Sequence, residues 1–189
     1  EDLRERVKSL GWTTPTPVQR KAIPYLLEGR DMIVQARTGS GKTGAYLLPI
    51  IRTIDISKKF CQALILAPTR ELAKQVSVVL DQLTKDTEIK TSVIYGGVRY
   101  AGQLKDLKEG AQIIVGTPGR ILDHVYKGTL TLMNIRTLVF DEADEMLSMG
   151  FYPSMRKLRR QIPEKRRTYM FSATIPYHVE QLAHEFLHE

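Results

Sequence analysis

Apolar positions along the chain follow two alternating patterns. Short runs rich in Ile, Val, Leu and aromatic residues recur at Asp31–Ala36 (DMIVQA), Gln62–Pro68 (QALILAP), Thr91–Gly97 (TSVIYGG), Ala111–Pro118 (AQIIVGTP), Arg136–Asp144 (RTLVFDEAD) and Thr168–Thr174 (TYMFSAT). Each has the length and composition of a buried strand. Between them the apolar residues return with helical period. Arg70–Lys85 sets Leu72, Val76, Val79, Leu80 and Leu83 on one face, and Ile175–His188 does the same with Val179, Leu182, Ala183 and Phe186. Strands alternating with helices require right-handed crossovers. The predicted fold is therefore α/β, a mostly parallel sheet with helices on both faces.

Polar residues add a direction to this scheme. The six runs end in ARTGSGKT, PTRE, GG, TPGR, DEAD and SAT. In a parallel sheet all carboxyl ends lie on one edge, which is where open α/β sheets bind ligands. Turn formation alone accounts for one or two such endings. Six of them predict a single functional rim.

Composition narrows the class. A chain of 189 residues with 42% hydrophobic content suffices for one domain with a real core. No stretch approaches the roughly 18 apolar residues of a membrane span. The opening EDLRERVKSL is charged throughout, unlike a signal peptide. Cys61 is the single cysteine, so no intrachain disulfide forms, which fits a reducing compartment. A cytoplasmic protein without membrane association is expected. The net charge of +7 points to a polyanionic partner.

Ala36–Thr43 (ARTGSGKT) matches the phosphate-loop pattern G-x-x-x-x-G-K-[ST], with a strand before it and a helix after it. Ala36 stands where the pattern has its first glycine, a position that a small residue can fill. Gly39 and Gly41 let the backbone curl so that amides, with those of Thr38 and Ser40, point at phosphate oxygens. The helix N-terminus adds its dipole. Lys42 is expected to reach the β- and γ-phosphates and Thr43 to ligate Mg²⁺. Nearly one hundred residues on, TLVFDEAD delivers Asp141 from the end of an apolar strand. That is where a carboxylate meets the metal beside a phosphate loop. Glu142 is the candidate general base for an attacking water. Two adjacent carboxylates repel unless a cation lies between them.

Asp141-Glu142-Ala143-Asp144 spells DEAD. Together with PTRELA (Pro68–Ala73), Gly96-Gly97, TPGR (Thr117–Arg120) and SAT (Ser172–Thr174), in that family's order, it makes the chain resemble the first RecA-like lobe of a DEAD-box ATP-dependent RNA helicase. The likeness covers nearly the whole chain, and DEMLSMGF and YMFSATIP extend it. It implies one N-terminal RecA-like P-loop NTPase domain over residues 1–189 that uses ATP and Mg²⁺. Lys42, Asp141 and Glu142 are implied as catalytic.

Gly11–Gln19 (GWTTPTPVQ) looks like the family's adenine-reading Q motif. The amide of Gln19 can both donate to and accept from adenine. Trp12 is expected to stack on the base, the alternative being a packing role at a helix end. An aromatic that supports this motif in the family falls, by spacing, before Glu1.

For RNA, single-stranded or duplex, the resemblance points to Pro68, Thr69, Arg70, Gly97, Thr117, Gly119 and Arg120, with Arg99 as a weaker candidate. These residue types suit the sugar-phosphate backbone rather than the bases. Asp144, Ser172 and Thr174 are implied as coupling residues, Ser172 and Thr174 bonding the carboxylate of Asp144. His124, His178, His184 and His188 show no metal-ligand spacing with Cys61, and the last two read as a solvated helix face.

The family also has a C-terminal RecA-like lobe that supplies arginine fingers, worth about 10³–10⁵ in rate in related phosphoryl transfer. That lobe is the expected partner and is absent from these residues. A monomeric fragment is expected, binding nucleotide weakly and hydrolysing little. The alternatives are an ATP-dependent RNA clamp and a DNA-acting superfamily 2 helicase.

Overall fold

The computed structural model describes residues 2–97 and 100–188. Helices α1 (Asp2–Ser9) and α2 (Pro17–Leu27) precede the first strand, β1 (Met32–Gln35). Then follow α3 (Lys42–Thr53), β2 (Ala63–Leu66), α4 (Arg70–Thr84), β3 (Thr91–Ile94), α5 (Tyr100–Lys108), β4 (Ile113–Gly116) and α6 (Pro118–Tyr126). The chain continues through β5 (Thr137–Asp141), α7 (Ala143–Ser148), α8 (Tyr152–Arg159), β6 (Arg167–Ser172) and α9 (Tyr177–Phe186). All six predicted strands form, and they make one parallel sheet in the order β1-β6-β5-β2-β4-β3.

Alternation along each central strand builds two cores. In β2, Leu64 and Leu66 face one side while Ala63 and Ile65 face the other. Phe140 and Met170 join Leu64 and Leu66 beneath α6, α8 and α9, whose Ile121, Met155 and Phe186 close that layer. Val139, Tyr169 and Phe171 pack on the opposite side against Leu26 of α2, Leu47 of α3 and Val76 of α4. Every residue of β2, β4 and β5 is buried, as a strand covered on both faces requires. The expectation of six buried strands needs one correction. β1 and β3 are only half-buried, because they are the sheet's edges and each has a neighbour on one side alone.

Helix starts follow local chemistry. Thr16 caps α2 in a reciprocal box with Gln19, and Pro17 occupies the first turn. Thr69 accepts from the Leu72 amide at the start of α4. These caps stand at the carboxyl ends of strands or just before the sheet, so the rim is set by helix N-termini. At the opposite edge, the fully buried amide of Gln112 accepts from the Lys90 amide at 3.0 Å and donates to the Lys58 carbonyl at 2.9 Å. This ties the loop before β2 to the start of β3.

Cys61 lies just before β2, 3% exposed, and burial pushes its thiol up to about 12. It is protonated and shielded at neutral pH. A thiol reagent at pH 8 is therefore expected to leave it unmodified in native buffer and to label it fully in denaturant. Rapid native labelling would contradict the packing around β2.

Candidate functional site

β1 ends in the phosphate loop. Ala36 is buried and its amide still donates to the Ser172 carbonyl at 2.9 Å, so the sheet runs on through the position where the pattern has glycine. The loop then turns through Gly39 and Gly41, whose φ values are 82° and 88°. At Gly41 a side chain is excluded twice over. The backbone is left-handed, and a Cβ would lie 2.5 Å from Thr16 Oγ1. Thr38 and Gly39 are exposed, Thr43 is half-buried, and the Ser40 hydroxyl is buried without a hydrogen-bond partner among the described residues.

The acid pair comes from β5. Asp141 is fully buried at the strand's last position. Glu142 follows in a left-handed conformation, φ 60° and ψ 59°, which is rare for a residue with a Cβ. Lys42 bridges the two: its ammonium lies 2.6 Å from Asp141 Oδ1 and 3.0 Å from Glu142 Oε2. The hydroxyl of Tyr46, one turn after Lys42 in α3, donates to Asp141 Oδ2 at 2.6 Å. Burial opposes the charge on Lys42, but Asp141 and then Glu142 outweigh it and hold the ammonium above its ordinary range. Burial, reinforced by Asp141, likewise raises the Tyr46 hydroxyl, which stays a donor. The arrangement is an oxygen-rich pocket that already holds one positive charge. Among the described residues no group of three or more His, Cys, Asp or Glu side chains forms a metal site made by protein alone. Hydroxyl and single-carboxylate ligands beside a phosphate site suit Mg²⁺, which binds few protein groups.

Gln19 is buried against this loop. Its Oε1 accepts from the Thr16 amide at 3.1 Å and its Nε2 donates to the Gly41 carbonyl at 3.1 Å. Trp12 is half-buried with its ring edge on α3, where a Cβ at Gly44 would lie 2.8 Å from Trp12 Cζ3 and 2.7 Å from Gln19 Nε2. Both residues line an open groove of about 870 Å³ between α1, α2 and α3, with Thr13, Pro15, Leu48 and Arg52.

The remaining strand ends form the other half of the rim. Pro68 is buried, and Arg70 reaches from α4 to the loop after β3, where a Cβ on Gly97 would be 3.1 Å from Arg70 Nη1. Thr117 stands at the N-cap of α6 with no side-chain cap bond, and Gly119 has open space around it. Arg120 donates to Gln103 Oε1 at 3.2 Å. Arg99 lies outside the described residues. At the end of β6, Thr174 donates to Asp144 Oδ2 with its hydroxyl at 2.9 Å and its amide at 3.1 Å. The Ser172 hydroxyl accepts from the Asp144 amide at 3.2 Å and donates to the Thr174 carbonyl at 2.6 Å, and it is among the groups that hold the Asp144 carboxyl low.

Sequence reasoning passed over Tyr46, Gln103 and His124. A tyrosine on an apolar helix face reads as core, and its reach to Asp141 follows only from the sheet order. Gln103 and His124 had one signal, an uncharged polar residue on the inner face of its helix.

The DEAD/DEAH box helicase family model matches residues 16–182. The chain is 47% identical over 188 residues to the ATP-dependent RNA helicase CshA of Listeria monocytogenes, covering 100% of this chain and 36% of that protein. It is 46% identical over 190 residues to the ATP-dependent RNA helicase DeaD of Haemophilus influenzae, covering 100% of this chain and 31% of that one. The crystal structure of a DEAD box protein from Methanococcus jannaschii superposes with a TM-score of 0.95 at 39% identity, over 100% of this chain and 52% of that one. The chain thus spans about a third of the length of these curated relatives.

Two outcomes follow from the geometry. Gly44→Ala drives a methyl into Trp12 and Gln19, and overpacking of this kind costs about 1–3 kcal/mol. Urea unfolding should show that loss, and titration of a fluorescent nucleotide should show weaker binding. At Asp144, burial opposes ionisation, but the bonds from Thr174 and its neighbours outweigh it and hold the carboxyl below its ordinary range. A lowered value adds stability that is fully present above the unfolded carboxyl's value of about 3.9 and is lost as pH falls further. The stability difference between wild type and Asp144→Asn should therefore be level from pH 7 to 5 and shrink below about 4. A difference unchanged at pH 2 would refute the hydrogen-bond account.

Proposed function

The chain belongs to the DEAD/DEAH box helicase family, and from that membership we propose that it is the ATP-binding lobe of an ATP-dependent RNA helicase. The observation that carries the reading is the Lys42 ammonium held 2.6 Å and 3.0 Å from Asp141 and Glu142, at the mouth of a glycine-shaped loop. A cation poised there can pass from the carboxylates to incoming phosphates. The loop amides and the N-terminus of α3 add fixed positive potential. Asp141 and the Thr43 hydroxyl would hold Mg²⁺, which supplies charge neutralisation at the phosphates. Glu142 is the one carboxylate of the pair that remains partly exposed, as a base for water must be. Gln19 keeps a second N–H and a second lone pair for adenine, and the groove beside Trp12 offers the base an apolar wall.

RNA is proposed to lie along the ends of β2, β4 and β3, its phosphates met by Arg70, Arg120 and the hydroxyls of Thr69 and Thr117. A second RecA-like lobe would complete both sites. In this reading Asp144, Ser172 and Thr174 carry changes at the nucleotide toward the RNA. A cytoplasmic location is part of the proposal and is supported by the reduced, buried Cys61.

The test is RNA-stimulated ATP hydrolysis by the complete protein. Glu142→Gln is expected to lower turnover by about 10²–10⁴-fold while ATP still binds. Persistent turnover would assign the base elsewhere. Equal stimulation by DNA and RNA strands would shift the substrate.

A further inference from the structure

Within the rim assigned to RNA, one side chain has bonds that reach two of its segments. Gln103 is 5% exposed on the inner face of α5. Its Nε2 donates to the Tyr95 carbonyl at 3.0 Å, at the foot of the Gly96-Gly97 loop. Its Oε1 receives Arg120 Nη1 at 3.2 Å and lies 2.9 Å from His124 Nε2. The amide orientation is fixed from both ends. A carbonyl only accepts, so the nitrogen faces Tyr95, and a guanidinium only donates, so the oxygen faces Arg120. His124 must then present a protonated Nε2 to that oxygen. The ring is fully buried, with Thr129 Oγ1 2.8 Å from Nδ1. Burial, followed by the charges of Arg120 and Lys127, holds its pKa below the ordinary value, so it stays neutral. A neutral ring with the proton on Nε2 is the tautomer that the Gln103 oxygen requires.

We propose that Gln103, backed by His124, is a positioning residue for RNA: it fixes the Arg120 guanidinium and the Gly96-Gly97 loop in one register so that both meet the same stretch of sugar-phosphate backbone. The inference rests on the RNA-binding reading above. Its physical sense lies in the neutrality of the amide. A carboxylate at this place would orient Arg120 equally well but would cancel the charge meant for a phosphate. Gln103 orients the guanidinium without adding a negative charge of its own. Arg70, beside Gly97, gains from the same fixed loop.

The test uses the complete protein, a fluorescent single-stranded RNA and a non-hydrolysable ATP analogue. Nucleotide affinity, measured separately, serves as the folding control. Gln103→Leu is expected to weaken RNA binding about tenfold, the scale of a hydrogen bond to a charged group, and to leave nucleotide affinity within about twofold. Arg120→Met should weaken RNA binding at least as much, and the double variant should bind more tightly than the product of the two losses, because the part of the Gln103 effect that passes through Arg120 is then already lost. Gln103→Glu should weaken binding and flatten its dependence on salt by about one phosphate contact. Effects that multiply in the double variant would overturn the proposal. So would an unchanged RNA affinity in Gln103→Leu, or a parallel loss of nucleotide and RNA binding, which marks a purely structural role. If the wild-type protein fails to bind RNA, the functional reading falls and the inference falls with it. If the wild type binds and the cycle is additive, the inference falls alone.

Discussion

A carboxylate withdrawn from water must be given a cation, and in this fold that need is met at one point. Asp141 has no exposed surface, and among the described residues its Oδ1 has no partner other than the Lys42 ammonium. Desolvating an unpaired carboxylate is far more costly than any single contact in the neighbourhood returns. The Lys42–Asp141 pairing therefore dictates where the phosphate loop can lie. The loop must bring the first residue of α3 over the ends of β6 and β5, and it can do so only through the left-handed turn at Gly41. Glu142 adopts its own left-handed turn to share the same ammonium. The strain at Glu142 is thus balanced by one electrostatic centre, which is also the place proposed for a triphosphate.

Sheet order then divides the rim. The strands run β1-β6-β5-β2-β4-β3. The phosphate loop, SAT and DEAD follow β1, β6 and β5, which are adjacent, while PTRE, TPGR and the glycine pair follow β2, β4 and β3, which are adjacent too. In sequence these motifs are interleaved; in space they sort into the half proposed for the nucleotide and the half proposed for RNA. The junction falls between β5 and β2; β5 ends in Asp141, and Asp144 follows in the first turn of α7. Thr174 reaches Asp144 from the end of β6. Any shift of the acid pair is therefore felt by a backbone that also anchors the last strand. No long-range conduit is required, because the two halves meet directly where β5 pairs with β2.

Much of this was legible in the residues. Strand positions, the two apolar helix faces and the phosphate loop follow from period and local spacing, which are short-range properties. The substitution of Ala36 for glycine was correctly read as harmless, since that residue sits in extended backbone paired to β6. What stayed hidden depends on which strands are neighbours. Tyr46 meets Asp141 across a separation of 95 residues, and nothing in an apolar helix face announces a hydrogen bond to a partner so distant. Gln103, likewise, draws Tyr95 and Arg120 together only because β3 and β4 pair. The half-buried character of β1 and β3 is a further consequence of order as well as of composition. Gln35, Thr91 and Ser92 make them less apolar than β2, and the missing neighbour makes them edges.

Gln19 shows how the two kinds of information meet. By resemblance to the family's Q motif it is the expected reader of adenine; by position it is the partner of a cap and a clamp on the loop. Its oxygen accepts from Thr16 and its nitrogen holds the Gly41 carbonyl, so the conformation of the phosphate loop already depends on the side chain proposed to contact the base. An amide can serve both ends because it carries two hydrogens and two lone pairs, of which the described contacts use one each. A base that engaged the remaining pair would stiffen the same amide that holds the loop. In the proposed reading, recognition of the nucleotide at base and phosphate would be a single mechanical event, with Gly44 kept bare so that Trp12 and Gln19 can lie close to α3.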